Sequence, residues 1–169
     1  MLFLLDANVL IDAGRDYYAI ERVPEFWDWL EHQGVSEKVK IPQEIYEEVE
    51  GGRDSVATWL RTDSIKRVLV LQEEVDPLLV NRAVTEGYAP DPSQVELTAI
   101  GRDPFLVAYA LVNPGGRCVV TTEGSRPNRK RANRHMPDVC GTFGIDVCTT
   151  FELTRRLNFS TQWRRPPAP

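Results

Sequence analysis

Short apolar runs alternating with amphipathic stretches predict an α/β protein, a three-layer sandwich with a central parallel sheet of about 4–5 strands flanked by helices. Two apolar runs and their spacing carry this expectation. The chain opens on MLFLL, uniformly apolar and short, as a strand buried on both faces should be. A second run, CVVTT, comes more than a hundred residues later, with helix-like periodicity between the two.

In chain order, the first strand is expected over residues 2–6 and a short helix over about 7–13. Residues 24–33 read as an amphipathic helix with Phe26, Trp27 and Leu30 on one side and Gly34 just past its end. A strand over 39–41 leads to Pro42, which starts a helix running to about residue 50 and closed by Gly51 and Gly52. Further helices are expected over 55–62, about 75–86 and 93–100, with a possible strand over 67–71. Another helix starts at Asp103-Pro104; its FLVAYALV is apolar on every side and should be buried all round. A buried strand over 118–122, a helix over 136–143, a strand over 146–149 and a helix over 151–157 complete the domain, taken as residues 1–157. Residues 158–169, ending in RRPPAP, read as a flexible tail.

Composition narrows the function classes. The chain has 169 residues, of which 42% are hydrophobic and 27% charged, as in a soluble globular domain. No run approaches the roughly 20 apolar residues of a membrane span, and the N-terminal run is too short for a signal peptide, so a cytoplasmic location without membrane contact is expected. The three cysteines, Cys118, Cys140 and Cys148, form no CxxC pair and read as reduced core residues. With only His32 and His135 as histidines, a bound metal would be held by oxygens. Net charge is −5, yet RPNRKRANRH at 126–135 holds five Lys/Arg and no acid. The positive potential is therefore concentrated in one segment of an otherwise acidic chain.

Four acids stand at the ends of strands or the starts of helices. Ligands of open parallel sheets bind beyond the carboxyl ends of the strands. Asp6 ends the first strand and Glu123 the strand CVVTTE, which brings both to one rim. Asp6 and Asp103 also suit helix N-caps, and a cap can use one carboxylate oxygen while the other faces a metal. In PQEIYEEVEGG, Ile45 and Val49 define the buried face at about 100° per residue, so Glu48 borders the cleft while Glu44 and Glu47 are expected in solvent. Converging carboxylates repel one another, and Mg²⁺ or Mn²⁺ would neutralise them. Such ions activate water for attack on a phosphodiester, while Arg126, Arg129, Lys130, Arg131 and Arg134 would hold phosphates.

LLDANVLIDA, PQEIYEEVEGG, RDPFLVAYAL and VVTTE, in this order, resemble the four blocks of the PIN-domain family, small metal-dependent ribonucleases that include the VapC-type toxins. The resemblance runs from Met1 to about Leu157. It implies Asp6, Glu48, Asp103 and Glu123 as a metal-binding quartet, with Asn8 supporting it by hydrogen bonding and Thr122 as a small supporting hydroxyl residue beside the fourth acid. It also implies an RNA substrate, a role as the toxin of a toxin–antitoxin pair, and an antitoxin partner. The fourth acid is Glu where Asp is commoner. Residues 20–41 and the basic insertion look like a less characterised bacterial branch.

Competing classes fare less well. A haloacid-dehalogenase-type phosphatase needs an acid two residues after Asp6, where this chain has Asn8. A Rossmann enzyme needs GxGxxG after the first strand, and none is there. The alternative is a catalytically weak PIN-like RNA- or protein-binding module. Trp27, Trp29 and Trp59 are expected in the core or an interface, and the aromatic content of residues 24–29 could serve a homodimer. Trp163, Arg164 and Arg165 could add a stacking and phosphate contact, although a tail is the expected reading.

Overall fold

The computed structural model describes residues 1–164. Four strands, β1 (Leu2–Leu5), β2 (Val39–Lys40), β3 (Arg117–Val120) and β4 (Asp146–Cys148), form an all-parallel sheet in the order β2-β1-β3-β4. In β1, Phe3, Leu4 and Leu5 are all buried, as are Cys118, Val119 and Val120 in β3, although successive side chains point to opposite faces. Both faces are therefore covered by helices, and the fold is the expected α/β sandwich. Leu2 to Leu5 pair with Arg117 to Val120, and Phe3 and Leu4 with Val39 and Lys40.

The helices are α1 (Ala7–Asp12), α2 (Pro24–Val35), α3 (Gln43–Glu50), α4 (Ser55–Leu60) and α5 (Asp63–Leu69), followed by α6 (Pro77–Arg82), α7 (Gln94–Ile100), α8 (Asp103–Leu111), α9 (Met136–Thr142) and α10 (Thr150–Arg156). Local chemistry sets many of their starts. Pro24 and Pro77 occupy first-turn positions, and Ser93 with Glu96 and Thr149 with Glu152 form capping boxes. α1 and α6 each run on into a π turn, Ala13–Tyr17 and Ala83–Tyr88. In α8, Leu106 to Leu111 are buried without a break, as its uniformly apolar sequence requires.

Three expectations need correction. The strand expected over 67–71 is mostly α5: Ile65 and Leu69, four apart, form its buried stripe, and only Val70 makes a bridge, to Ile41. Gly34 does not end α2 but lies buried within it. A Cβ there would stand 2.6 Å from Leu69 Cδ2 and 2.9 Å from Val68 O, so the missing side chain is what lets α2 close onto α5. Residues 158–164 pack against α2: the Phe159 ring lies 5.0 Å from that of Trp29, and Trp163 Nε1 donates to Glu25 O at 3.1 Å. Arg165 and the PPAP end lie outside the described residues.

Trp27 and Trp29 are core residues, Trp59 packs partly buried against Trp27, and the three cysteines are buried with free thiols. Among the described residues, no helix is long and apolar enough to cross a membrane.

Candidate functional site

The sheet order makes the chain leave β1 toward β2 on one side, while β3 lies on the other, so the crevice beyond β1 and β3 is the switch point of the fold. Asp6 is the first residue past β1, and its N–H extends the ladder to Val120 O at 2.9 Å. On the neighbouring strand, Thr121 N–H donates to Cys148 O at 3.1 Å. Backbone pairing alone thus places Asp6 and Thr121 side by side.

Asp6 occupies the N-cap position of α1, yet its side chain makes no cap hydrogen bond. Its Oδ2 instead accepts from Thr121 Oγ1 at 2.8 Å, and Thr121 Oγ1 accepts from Glu123 N–H at 3.2 Å. One buried hydroxyl therefore ties the first acid to the loop carrying the fourth. The supporting hydroxyl is Thr121 and not the expected Thr122, which is exposed. Register explains this shift: a one-residue step along a strand turns the side chain to the opposite face. Asn8 is exposed on α1 and makes no side-chain hydrogen bond among the described residues.

Asp103 is the first residue of α8; Arg102 takes the cap position, without a side-chain cap bond. Asp103 Oδ2 accepts from the hydroxyl of Tyr88 at 3.1 Å. Tyr88, buried at the end of the second π turn, escaped the sequence reading because nothing local marks it; its hydroxyl reaches Asp103 only through the packing of α6, its π turn and α8. Glu123 lies beyond β3 in the loop, not on the strand, and its Oε2 accepts from Met136 N–H at 2.7 Å. His135 Nδ1 stands 3.9 Å from the same oxygen and 2.9 Å from Gly124 O. Glu48 is exposed on α3, on the seam beside Val49.

Electrostatics join these four acids. Burial pushes the Asp6 carboxyl up to about 6, with Glu123 and Glu48 adding repulsion against the hydrogen bond from Thr121. Asp103 is pushed up to about 7, first by burial and then by the Asp6 charge, with Glu123 and Glu48 adding to it and the Tyr88 bond opposing. The charges acting on both residues are carboxylates. Beneath them, burial and the same two aspartates push the Cys140 thiol up to about 12, so it stays neutral.

As they stand, no three His, Cys, Asp or Glu side chains among the described residues are close enough together to hold an ion. Hydrogen bonds from Thr121, Tyr88 and Met136 orient Asp6, Asp103 and Glu123 instead. The donor chemistry nevertheless fits a hard divalent cation: oxygen ligands, no Lys or Arg paired with these acids among the described residues, and one oxygen each of Asp6, Asp103 and Glu123 left over by the bonds described above. Asp6, Asp103, Glu123 and the exposed Glu48 are the residues that would hold it.

The other two acids of α3 differ from each other. Glu47 is exposed and pairs with Arg102 at 3.1 Å, as a solvated residue can. Glu44 is not solvated as expected: its Oε2 is buried with no hydrogen-bond partner among the described residues, because the first turn of α3 lies against α8. Burial and the Glu44 charge push the Tyr109 phenol up to about 12.

The five cations of 126–135 divide into two groups. Arg131 is bound to Glu96 and Asp91, and Arg134 donates to Gly87 O, Asp138 O and Thr142 Oγ1. These two fasten the loop to α7 and α9, a role that expectation had not separated from phosphate binding. Arg126, Arg129 and Lys130 are exposed, and their side chains have no hydrogen-bond or ion-pair partner among the described residues. Elsewhere, Trp163 packs on α2, while Arg164 lies over its ring and pairs with Asp28 at 3.1 Å.

No curated protein and no solved structure matches this chain. Residues 3–161 match the family described as a domain of unknown function (DUF4411), and the chain belongs to that family.

Proposed function

We propose that the protein is a PIN-like, Mg²⁺- or Mn²⁺-dependent endoribonuclease, the toxin of a toxin–antitoxin pair. The observation that carries this reading is the acidic group: Asp6 and Asp103 come from remote stretches, and their carboxyls are raised first by burial and further by the charges of the other acids. Neither side chain makes the cap bond that would account for an acid at its helix start. When bound, a divalent cation supplies an activated water and stabilises charge on a phosphodiester. Asp6 and Asp103 would hold it, each oriented by a hydroxyl donor, Thr121 or Tyr88. Glu123 and Glu48 complete the cluster, directly or through waters. Arg126, Arg129 and Lys130 draw the RNA backbone toward the rim. Hydrolysis then leaves a 5′-phosphate and a 3′-hydroxyl, and an antitoxin protein is the partner this reading requires.

In the test, purified protein is incubated with single-stranded RNA and Mn²⁺. Wild type is expected to cleave, whereas Asp6→Asn and Asp103→Asn lose cleavage by at least a hundredfold while remaining folded. Absence of wild-type cleavage with either Mn²⁺ or Mg²⁺ would sink the reading. The spacing of the acids favours one competitor, a PIN-like RNA- or protein-binding module that holds no ion. It predicts RNA or protein binding without metal dependence.

A further inference from the structure

Of the six Phe, four Trp and five Tyr, only Tyr17 and Phe151 are exposed, at 46% and 49%. They touch each other, with ring centroids 5.2 Å apart at 69°, although they lie 134 positions apart in sequence. Single exposed apolar residues are ordinary, but an exposed aromatic pair assembled from remote segments is not accounted for by the core. The π turn that ends in Tyr17 separates it from its neighbour: Tyr18 turns inward and stacks on Phe26 at 4.2 Å, leaving Tyr17 outside.

Chain connectivity ties this pair to the acidic rim. Phe151 stands in the first turn of α10, three residues past Cys148, whose carbonyl accepts from Thr121, the residue bonded to Asp6. The end of β4 is two strands from the end of β1, a separation of about 10 Å at the usual spacing. Tyr17 closes the helical segment that Asp6 opens, about 16 Å further along it at the usual helical rise.

Resting on the ribonuclease reading, we propose that Tyr17 and Phe151 form a stacking platform for a base of single-stranded RNA whose backbone crosses the acidic rim. The π faces of the pair suit a base better than a phosphate. The charges beside the pair are mixed: Arg15 is bound to Asp12 and Asp16, Glu152 lies next to Phe151, and Arg155 stands one turn further along α10. Base faces are available to a side chain only where the strand is unpaired, so the platform selects single strands. Two side chains are also far less than the roughly 800 Å² per partner of a stable protein interface, which disfavours a second copy as occupant.

The test measures binding in EDTA, where metal-dependent cleavage is absent, by fluorescence anisotropy of a labelled ten-nucleotide oligo(A) and of a duplex of equal length. Tyr17→Ala and Phe151→Ala are each expected to weaken single-strand binding about tenfold and leave the duplex unchanged. Phe151→Tyr should restore single-strand binding, and the salt dependence should stay that of wild type, since no phosphate contact is lost. Unchanged single-strand affinity in both alanine variants overturns the proposal, as does wild type that binds no single-stranded RNA. So does loss of a dimer in sedimentation with RNA affinity intact, which would make the pair a contact between copies. The two readings fail separately. Stacking-dependent binding without any Mn²⁺-dependent cleavage sinks the nuclease alone, and cleavage by wild type with unaltered binding in the alanine variants sinks the platform alone.

Discussion

Asp6 shows how one residue can be legible as an acid and illegible in its role. Its position after β1 suits an N-cap, and it stands at that position, yet its hydrogen-bonding partner is Thr121 across the sheet. The raised proton affinities of Asp6 and Asp103 have a consequence for stability. Unfolded, both titrate near 3.8; folded, near 6 and 7, so between about pH 4 and 7 the folded state binds more protons. Stability should therefore fall as pH rises through this window. In EDTA, Asp6→Asn and Asp103→Asn should melt several degrees above wild type at pH 7.5 and flatten the pH profile. Variants that melt lower, with the wild-type slope retained, would contradict it. The hydroxyls can be separated in the same way. Thr121→Val removes a buried bond to a carboxylate and should lose about 1–3 kcal/mol in denaturant melts. Thr122→Val, on an exposed side chain, should change stability by less than about 0.5 kcal/mol. Equal effects at both positions would remove Thr121 from its assigned role.

At the scale of elements, chemistry that acts within one turn was readable and chemistry that acts between elements was not. Prolines and capping boxes mark the starts of α2, α6, α7 and α10, and uniform apolarity marks α8 as buried. The strand expected over 67–71 failed because five apolar-rich residues fit either periodicity, and the contact of Ile65 and Leu69 with the core decided for α5. Gly34 reads as a helix stop because that is the local meaning of glycine; in the fold it admits Leu69 and Val68 at close range. Gly34→Ala should accordingly destabilise by about 1–3 kcal/mol through overpacking, despite alanine's better helix propensity. A more stable variant in urea titration would show that α5 can yield at no cost. The basic loop follows the same rule. Its charge was evident from sequence, but which arginines it uses for its own attachment depended on Glu96, Asp91 and Gly87 from other elements.

For the whole molecule, the order β2-β1-β3-β4 is what brings Asp6 and the Glu123 loop to the same edge. β1 and β3 are adjacent only because the long crossover from β2 passes back over the sheet, and Asp6 and the Glu123 loop then share one rim. A cation held there binds the folded chain and not the unfolded one, so it should raise the melting temperature by mass action, equivalent to about 2.7 kcal/mol at a hundredfold excess over Kd. Titrating Mn²⁺ in a thermal melt should give a rising Tm for wild type and none for Asp6→Asn combined with Asp103→Asn. A flat wild-type curve at millimolar Mn²⁺ would favour the binding module over the nuclease.

By itself, the sequence determined the α/β class, the parallel sheet and most helix starts, since these follow from the periodicity of short runs and their alternation along the chain. The candidate quartet rests on acids at the ends of those runs and on the likeness to the PIN blocks. Only the tertiary structure decided that Thr121 and Tyr88 orient the aspartates, that one oxygen of Glu44 is buried, that Arg131 and Arg134 fasten the loop, and that Tyr17 meets Phe151. These are pairings between remote segments. Their partners are set by strand order and helix packing, and a linear pattern carries no record of which of many chemically equivalent threonines, tyrosines or arginines the fold will bring within hydrogen-bonding distance.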